Sequence, residues 1–91
     1  MSDKFQIAEV HSFQKKVQSV SYKHLYEKII SYVYPQLREN PYFGLNIKKL
    51  KGKLEGFYRY RIGKFRLFYK IDADIVTVVV IDIAPRRDAY T

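Results

Sequence analysis

The chain is 91 residues long, carries a net charge of +8 and has no cysteine. That length suits a single domain spanning residues 1–91 around one core. The missing cysteines exclude a disulfide framework and any thiolate metal site or nucleophile, and the charge points to a polyanionic partner: nucleic acid, an acidic protein or an anionic surface. The longest apolar run, Ile75 to Ile83, is broken by Thr77 and Asp82 and is too short to span a bilayer, and Met1-Ser2-Asp3-Lys4 leads into no signal-peptide core. A soluble, cytoplasmic protein with no membrane partner is the expectation.

Phe5-Gln6-Ile7-Ala8-Glu9-Val10 alternates apolar and polar side chains and reads as a first strand. Ser12 can cap a short helix with Phe13 and Val17 on one face. Ser21 starts a longer helix in which Tyr22, Leu25, Tyr26, Ile29, Ile30, Val33 and Leu37 recur at three- and four-residue steps. Pro35 should kink that helix or begin its last turn. Asn40-Pro41-Tyr42-Phe43-Gly44 is a turn. Leu45 to Lys53 is a basic connector anchored by Ile47 and Leu50. Asp72-Ala73-Asp74 is a second turn, and Ile75 to Ile83 is β-branched enough to be a central strand covered on both faces.

Between these lie Leu54–Ile62 and Phe65–Ile71, two alternating runs joined by Gly63-Lys64, and Gly first in a two-residue loop signals a type II′ hairpin. That loop sets the register by counting: Ile62 opposite Phe65, Arg61 opposite Arg66, Tyr60 opposite Leu67, Arg59 opposite Phe68, Phe57 opposite Lys70. One face then carries Tyr58, Tyr60, Ile62, Phe65, Leu67 and Tyr69, a core. The other carries Phe57, Arg59, Arg61, Arg66, Phe68 and Lys70, a cationic surface set with aromatic rings and open to solvent. Like charges directly opposite destabilise a sheet, so Arg61 against Arg66 is costly unless an anion sits between them. The charge is regional: Leu45 to Lys70 holds nine Lys or Arg and one acid, Glu55, whereas the first 44 residues are nearly balanced. The fold class is α+β: a strand, two helices, then a three-strand antiparallel meander, with the helices on one sheet face and a basic cleft on the other.

Three segments resemble the RelE/ParE superfamily of bacterial and archaeal type II toxins: Asn40–Gly44 running into Lys48-Lys49-Leu50-Lys51-Gly52, the hairpin Tyr58–Tyr69, and Ile81 to Tyr90. The resemblance covers essentially the whole chain. Its RelE-like branch implies an mRNA endonuclease acting in the ribosomal A site; its ParE-like branch implies a DNA gyrase inhibitor that is no nuclease. Carried over residue by residue, the RelE-like catalytic set falls on Arg59, Arg61, Arg66, Arg86 and Tyr90. Pro85 stands where many relatives have a His, which leaves no histidine for proton transfer, and the cationic pair is Arg rather than Lys. The family also implies a cognate acidic antitoxin as partner, with operator DNA bound only through the toxin–antitoxin complex. No cofactor and no metal are expected.

The residues suit such chemistry. RNA supplies its own nucleophile, the 2′-hydroxyl, and preorganised cations stabilise the charged phosphorane. Arg holds two phosphate oxygens in its planar fork and keeps its charge, so it cannot be the general base. Tyr90 is the one proton exchanger in the set, with an ordinary pKa of about 10. Stacking on a splayed base is its alternative role. Lys48, Lys49, Lys51, Lys53 and Lys64 are expected to hold phosphates without reading sequence, and Lys70, Phe68 and Arg87 complete the expected RNA- and phosphate-binding set. The plain alternative for Lys48–Lys53 is a solvated face, and that for Arg59, Arg61 and Arg66 is a sheet surface that only pairs with the antitoxin. A non-catalytic, basic binding module is the third reading. His11 and His24 have no partner at metal-ligand spacing and read as structural or merely exposed.

Overall fold

The computed structural model describes residues 4–86. Strand β1 (Gln6–Glu9) leads into helix α1 (His11–Val17) and a 3-10 turn (Val20–Tyr22). Helix α2 (Lys23–Lys28) then passes through a π-helical turn (Ile29–Val33) into α3 (Tyr34–Glu39). The strands β2 (Ile47–Lys49), β3 (Tyr58–Ile62), β4 (Phe65–Asp72) and β5 (Thr77–Pro85) follow. The architecture is the expected α+β. Local details differ from the expectation. α1 begins one residue earlier, behind Val10, with no side-chain cap, so Ser12 lies inside the first turn. Ser21 sits in the 3-10 turn ahead of α2. Pro35 lies in the first turn of α3, where its missing N–H is tolerated; the wider π turn just before it absorbs the lost hydrogen bond.

The five strands run in the order β1-β5-β4-β3-β2, with β1 parallel to β5 and the other pairs antiparallel. The β3–β4 register is the one counted from the sequence, from Ile62 opposite Phe65 to Tyr58 opposite Tyr69. Gly63 has φ +60°, and Lys64 is not among the residues with positive φ, which makes the turn II′ rather than I′. The basic connector contributes a strand of its own, β2, with Lys48 opposite Arg59. β5 is central but covered on one side only. Val78, Val80 and Ile83 are fully buried, whereas Val79 and Ile81 on the other face are half-buried. The three-residue step from Val80 to Ile83 comes from a bulge at Ile81, between the Tyr69–Val80 and Phe68–Asp82 pairs.

The core lies between the helices and the Tyr/Ile/Leu face of the sheet, built from Phe13, Val17, Ile29, Val33, Leu37, Tyr60, Ile62, Leu67, Tyr69, Val78, Val80 and Ile83. Ile30, expected in the stripe, is exposed, and Tyr34 takes the inward position. The tyrosine hydroxyls on this side fasten one layer to the other. Tyr60 donates to Gln36 Oε1 at 2.9 Å and Tyr69 to the Pro41 carbonyl at 2.7 Å. Tyr26 and Tyr34 both donate to Glu9 Oε2, at 2.8 and 2.7 Å. Burial, reinforced by the Glu9 carboxylate, pushes the Tyr26 phenol up to about 12 and that of Tyr34 higher still. Burial raises Tyr69 in the same direction, with Tyr58 and Tyr60 adding to it.

One backbone position is strained. Val76, in the β4–β5 turn, has φ +48°, a left-handed conformation that costs a β-branched residue about 1–2 kcal/mol. Its carbonyl accepts from the Gln6 N–H at 3.0 Å, which ties the turn to the start of β1 and holds the conformation in place. Val76→Asn, which tolerates that region, is expected to stabilise the protein by about 1 kcal/mol and to raise the melting temperature by roughly 4–8 °C. Calorimetry checks this, and an unchanged or lower melting temperature would show that the strain is relieved by contacts of the valine side chain.

Candidate nucleic-acid interface

The face of the sheet away from the helices is laid out by strand alternation. Pairing produces one transverse row of Lys48, Arg59, Phe68 and Asp82, and a second of Arg61, Arg66 and Ala84. At the β2 end, Lys48, Lys49, Leu50, Lys51, Arg59 and Arg66 line a cleft of about 330 Å³. Five of those six side chains are cationic and none is acidic. Arg59 is oriented by its backbone surroundings, with Nη1 donating to the Asn46 carbonyl at 3.1 Å while the Arg61 N–H donates to the same oxygen at 2.8 Å. Arg66 Nη1 donates to the Phe65 carbonyl at 3.2 Å.

The open face is not uniformly open. Arg66 is only 7% exposed and Phe68 8%, which corrects the expectation of a fully solvated cationic surface. Both lie on β4, the middle strand of the five, with neighbours on either side. Burial and the Phe65 hydrogen bond leave the Arg66 side chain fewer conformations than an exposed arginine has, and preorganisation of that kind is what electrostatic stabilisation of a developing charge requires. Arg61, directly opposite, remains exposed.

The cations predicted from sequence separate into groups. Arg59, Arg66, Lys48, Lys49 and Lys51 share the cleft, with Arg61 beside Arg66 in the sheet. Arg86 is exposed just past β5, its N–H bonded to the Lys64 carbonyl at 2.7 Å, so its backbone sits at the hairpin tip. Lys53 is exposed in the 3-10 turn Gly52–Leu54. Lys70 is drawn away from the cleft, its Nζ 4.8 Å from the centre of the Phe57 ring, and it borders a different hollow beside Asp72 and Asp74. Phe68 borders a neighbouring dimple rather than the cleft. Arg87 and Tyr90 lie outside the described residues. Sequence reasoning passed over Asn46, whose carbonyl orients Arg59, and Asp82, whose signal was an isolated acid inside a β-branched run. Among the described residues, no group of three or more His, Cys, Asp or Glu is close enough to hold a metal ion, and no helix is long and apolar enough to cross a membrane.

A family model described as the ParE toxin of the type II toxin–antitoxin system parDE matches residues 8–90. The chain belongs to this toxin family. Solved structures agree on the fold. The toxin–antitoxin complex RelBE2 of Mycobacterium tuberculosis matches with a TM-score of 0.77 at 20% identity, over 91% of this toxin and 99% of that chain. The archaeal RelE–RelB complex of Pyrococcus horikoshii matches at 0.69 and 21%, over 94% and 99%. YafQ of Escherichia coli matches at 0.71 and 15%, over 96% and 99%. No curated protein sequence matches the toxin. The expected membership of the RelE/ParE superfamily therefore holds, as does the expected fold.

Proposed function

We propose that this toxin is a metal-independent endoribonuclease that cuts mRNA in the ribosomal A site and is neutralised by an acidic antitoxin covering the basic cleft. What supports the reading is one observation: five cations and, among the described residues, no acid line one cleft, with Arg66 buried among them. In this reading Arg59 and Arg66 grip the non-bridging oxygens of the scissile phosphate, and Arg61 and Arg86 add charge beside them. The 2′-oxygen attacks phosphorus as its proton leaves. The P–O5′ bond breaks, the 5′-oxygen gains a proton, and a 2′,3′-cyclic phosphate remains. The guanidinium groups stabilise the phosphorane between these steps. Lys48, Lys49 and Lys51 hold the flanking phosphates. Tyr90 either moves a proton or stacks on a base. With Pro85 in place of a histidine, much of the acceleration is assigned to alignment of the message by the ribosome, since orientation can lower a barrier by roughly 7–11 kcal/mol at best. The relatives RelBE2 and RelE–RelB are complexes of a toxin with its antitoxin, which supports an antitoxin partner here, with operator DNA reached through that complex.

The family model's ParE description and Pro85 favour a second reading, inhibition of DNA gyrase without RNA cleavage. Primer extension on a reporter mRNA in a translating extract separates the two. In-frame cuts that appear only during translation are the expected result. An intact message, with supercoiling by purified gyrase blocked, would replace the first reading with the second.

A further inference from the structure

Beside the cationic cleft lies a dimple of about 220 Å³ lined by Leu54, Phe57, Phe68, Ile81 and Asp82. The two share a wall, the β2–β3 connection, which contributes Leu50 and Lys51 to the cleft and Leu54 and Phe57 to the dimple. They also share the transverse row Lys48–Arg59–Phe68–Asp82. Neighbouring strands are about 4.8 Å apart, so cleft and dimple are separated by roughly one to two strand spacings, comparable to the reach of one nucleotide from its phosphate to its base.

Among the described residues Asp82 is the one polar side chain in the dimple's lining, and that side chain is half exposed. Oδ1 accepts from Lys16 Nζ at 3.1 Å and from the Ile83 N–H at 2.8 Å. Oδ2 makes no hydrogen bond among the described residues. An apolar cavity with one charged acceptor in its lining orients a ligand that has a matching donor. An apolar side chain from a partner would strip water from the carboxylate and give nothing back. A cationic one would have to approach the five cations next door. A neutral heterocycle carrying an amino group and tethered to a phosphate satisfies both constraints.

We infer that the dimple is a base-reading subsite, in which Phe57, Phe68, Leu54 and Ile81 hold a nucleobase and Asp82 Oδ2 accepts from its exocyclic amino group. The inference rests on the proposed RNA substrate and adds its specificity. Adenine, cytosine and guanine carry the amino donor. Uracil has carbonyl oxygens on both sides of its single ring N–H, so a carboxylate meets it less favourably.

Affinity is measured by fluorescence anisotropy of short single-stranded 2′-O-methyl oligonucleotides, whose capped 2′-oxygen cannot attack phosphorus, so binding is read apart from cleavage. Oligo(C) and oligo(U) share ring size, and wild-type protein is expected to bind oligo(C) roughly three- to tenfold tighter. An oligo(C) made with N4,N4-dimethylcytosine, which lacks the donor, is expected to lose that advantage with the protein unaltered. Asp82→Asn keeps an oxygen for Lys16 and Ile83 but presents an amide donor at the other position, and should abolish or reverse the preference. Lys16→Gln removes the ion pair alone and should leave the preference intact. Equal binding of oligo(C) and oligo(U), an unchanged preference with the dimethylated base or in Asp82→Asn, or no binding of any oligonucleotide overturns the inference. Message cleavage without this discrimination leaves the nuclease reading standing alone; discrimination without cleavage leaves an RNA reader that does not cut.

Discussion

Arg66→Ala is expected to abolish growth arrest on induction and to reduce cleavage of a translated message by roughly 10²–10³-fold, the scale for removing one preorganised donor from a transition state. Arg66 combines three properties: a place in the cleft, near-complete burial, and a position on the middle strand of the sheet. Loss of its packing should cost the fold no more than about 1–3 kcal/mol, so circular dichroism of the variant should remain that of a folded protein. Arg66→Lys keeps the charge but not the two-pronged fork, and should recover part of the activity. Arg86→Ala, at the hairpin tip, is expected to lose toxicity as well. A folded Arg66→Ala protein that remains fully toxic would place the chemistry elsewhere.

The second large effect is alkaline unfolding. In the unfolded chain tyrosine titrates near pH 10, whereas Tyr26 in the folded protein titrates at about 12, and Tyr34 and Tyr69 are raised beyond that. Above pH 10 the unfolded state therefore holds fewer protons than the folded one, and stability falls as pH rises. The stabilisation is complete below pH 10. Tyr34 and Tyr69, 3% and 0% exposed, can each remove up to about 1.4 kcal/mol per pH unit above it. Over the two units from pH 10 to 12 the pair removes up to roughly 5–6 kcal/mol, a third or more of the about 5–15 kcal/mol by which a domain of this size is stable. Neutralisation of lysines relieves self-repulsion and works in the opposite direction, so Tyr69→Phe isolates the effect. The variant should be about 1 kcal/mol less stable at pH 7, where the Pro41 carbonyl loses its donor, yet show a shallower decline above pH 10. Urea midpoints from pH 8 to 11 would measure both slopes, and parallel slopes would rule the tyrosine out as a cause.

The hairpin was legible because a two-residue loop leaves no freedom of register, and face alternation then sorted Arg59, Arg61 and Arg66 from Tyr60, Leu67 and Tyr69 by counting alone. β2 was not legible. Lys48 and Lys49 have no strand preference of their own, and only pairing with Arg59 and Tyr58 makes them one. The bulge at Ile81 and the left-handed Val76 are tertiary outcomes with no local signature. With Val76 in the turn, β5 starts at Thr77 and Ile75 is left outside it, 63% exposed. Alternation could place Lys70 on the cationic face but could not show that its ammonium lies over the Phe57 ring rather than in the cleft. Burial of Arg66 was hidden for a related reason, since alternation names a face but says nothing of what rises around it.

The parallel pairing of β1 with β5 has a consequence for synthesis. β5 is the last of the five strands to be translated, and it separates β1 from β4 in the finished sheet. Until it emerges, β1 has no strand beside it and β4 presents an unpaired edge, so Arg66 lacks one of the two neighbours that fix it. The residues that line the cleft, from Lys48 to Arg66, are thus made before the strand that flanks Arg66 on its second side, so the cleft is completed only after β5 has emerged.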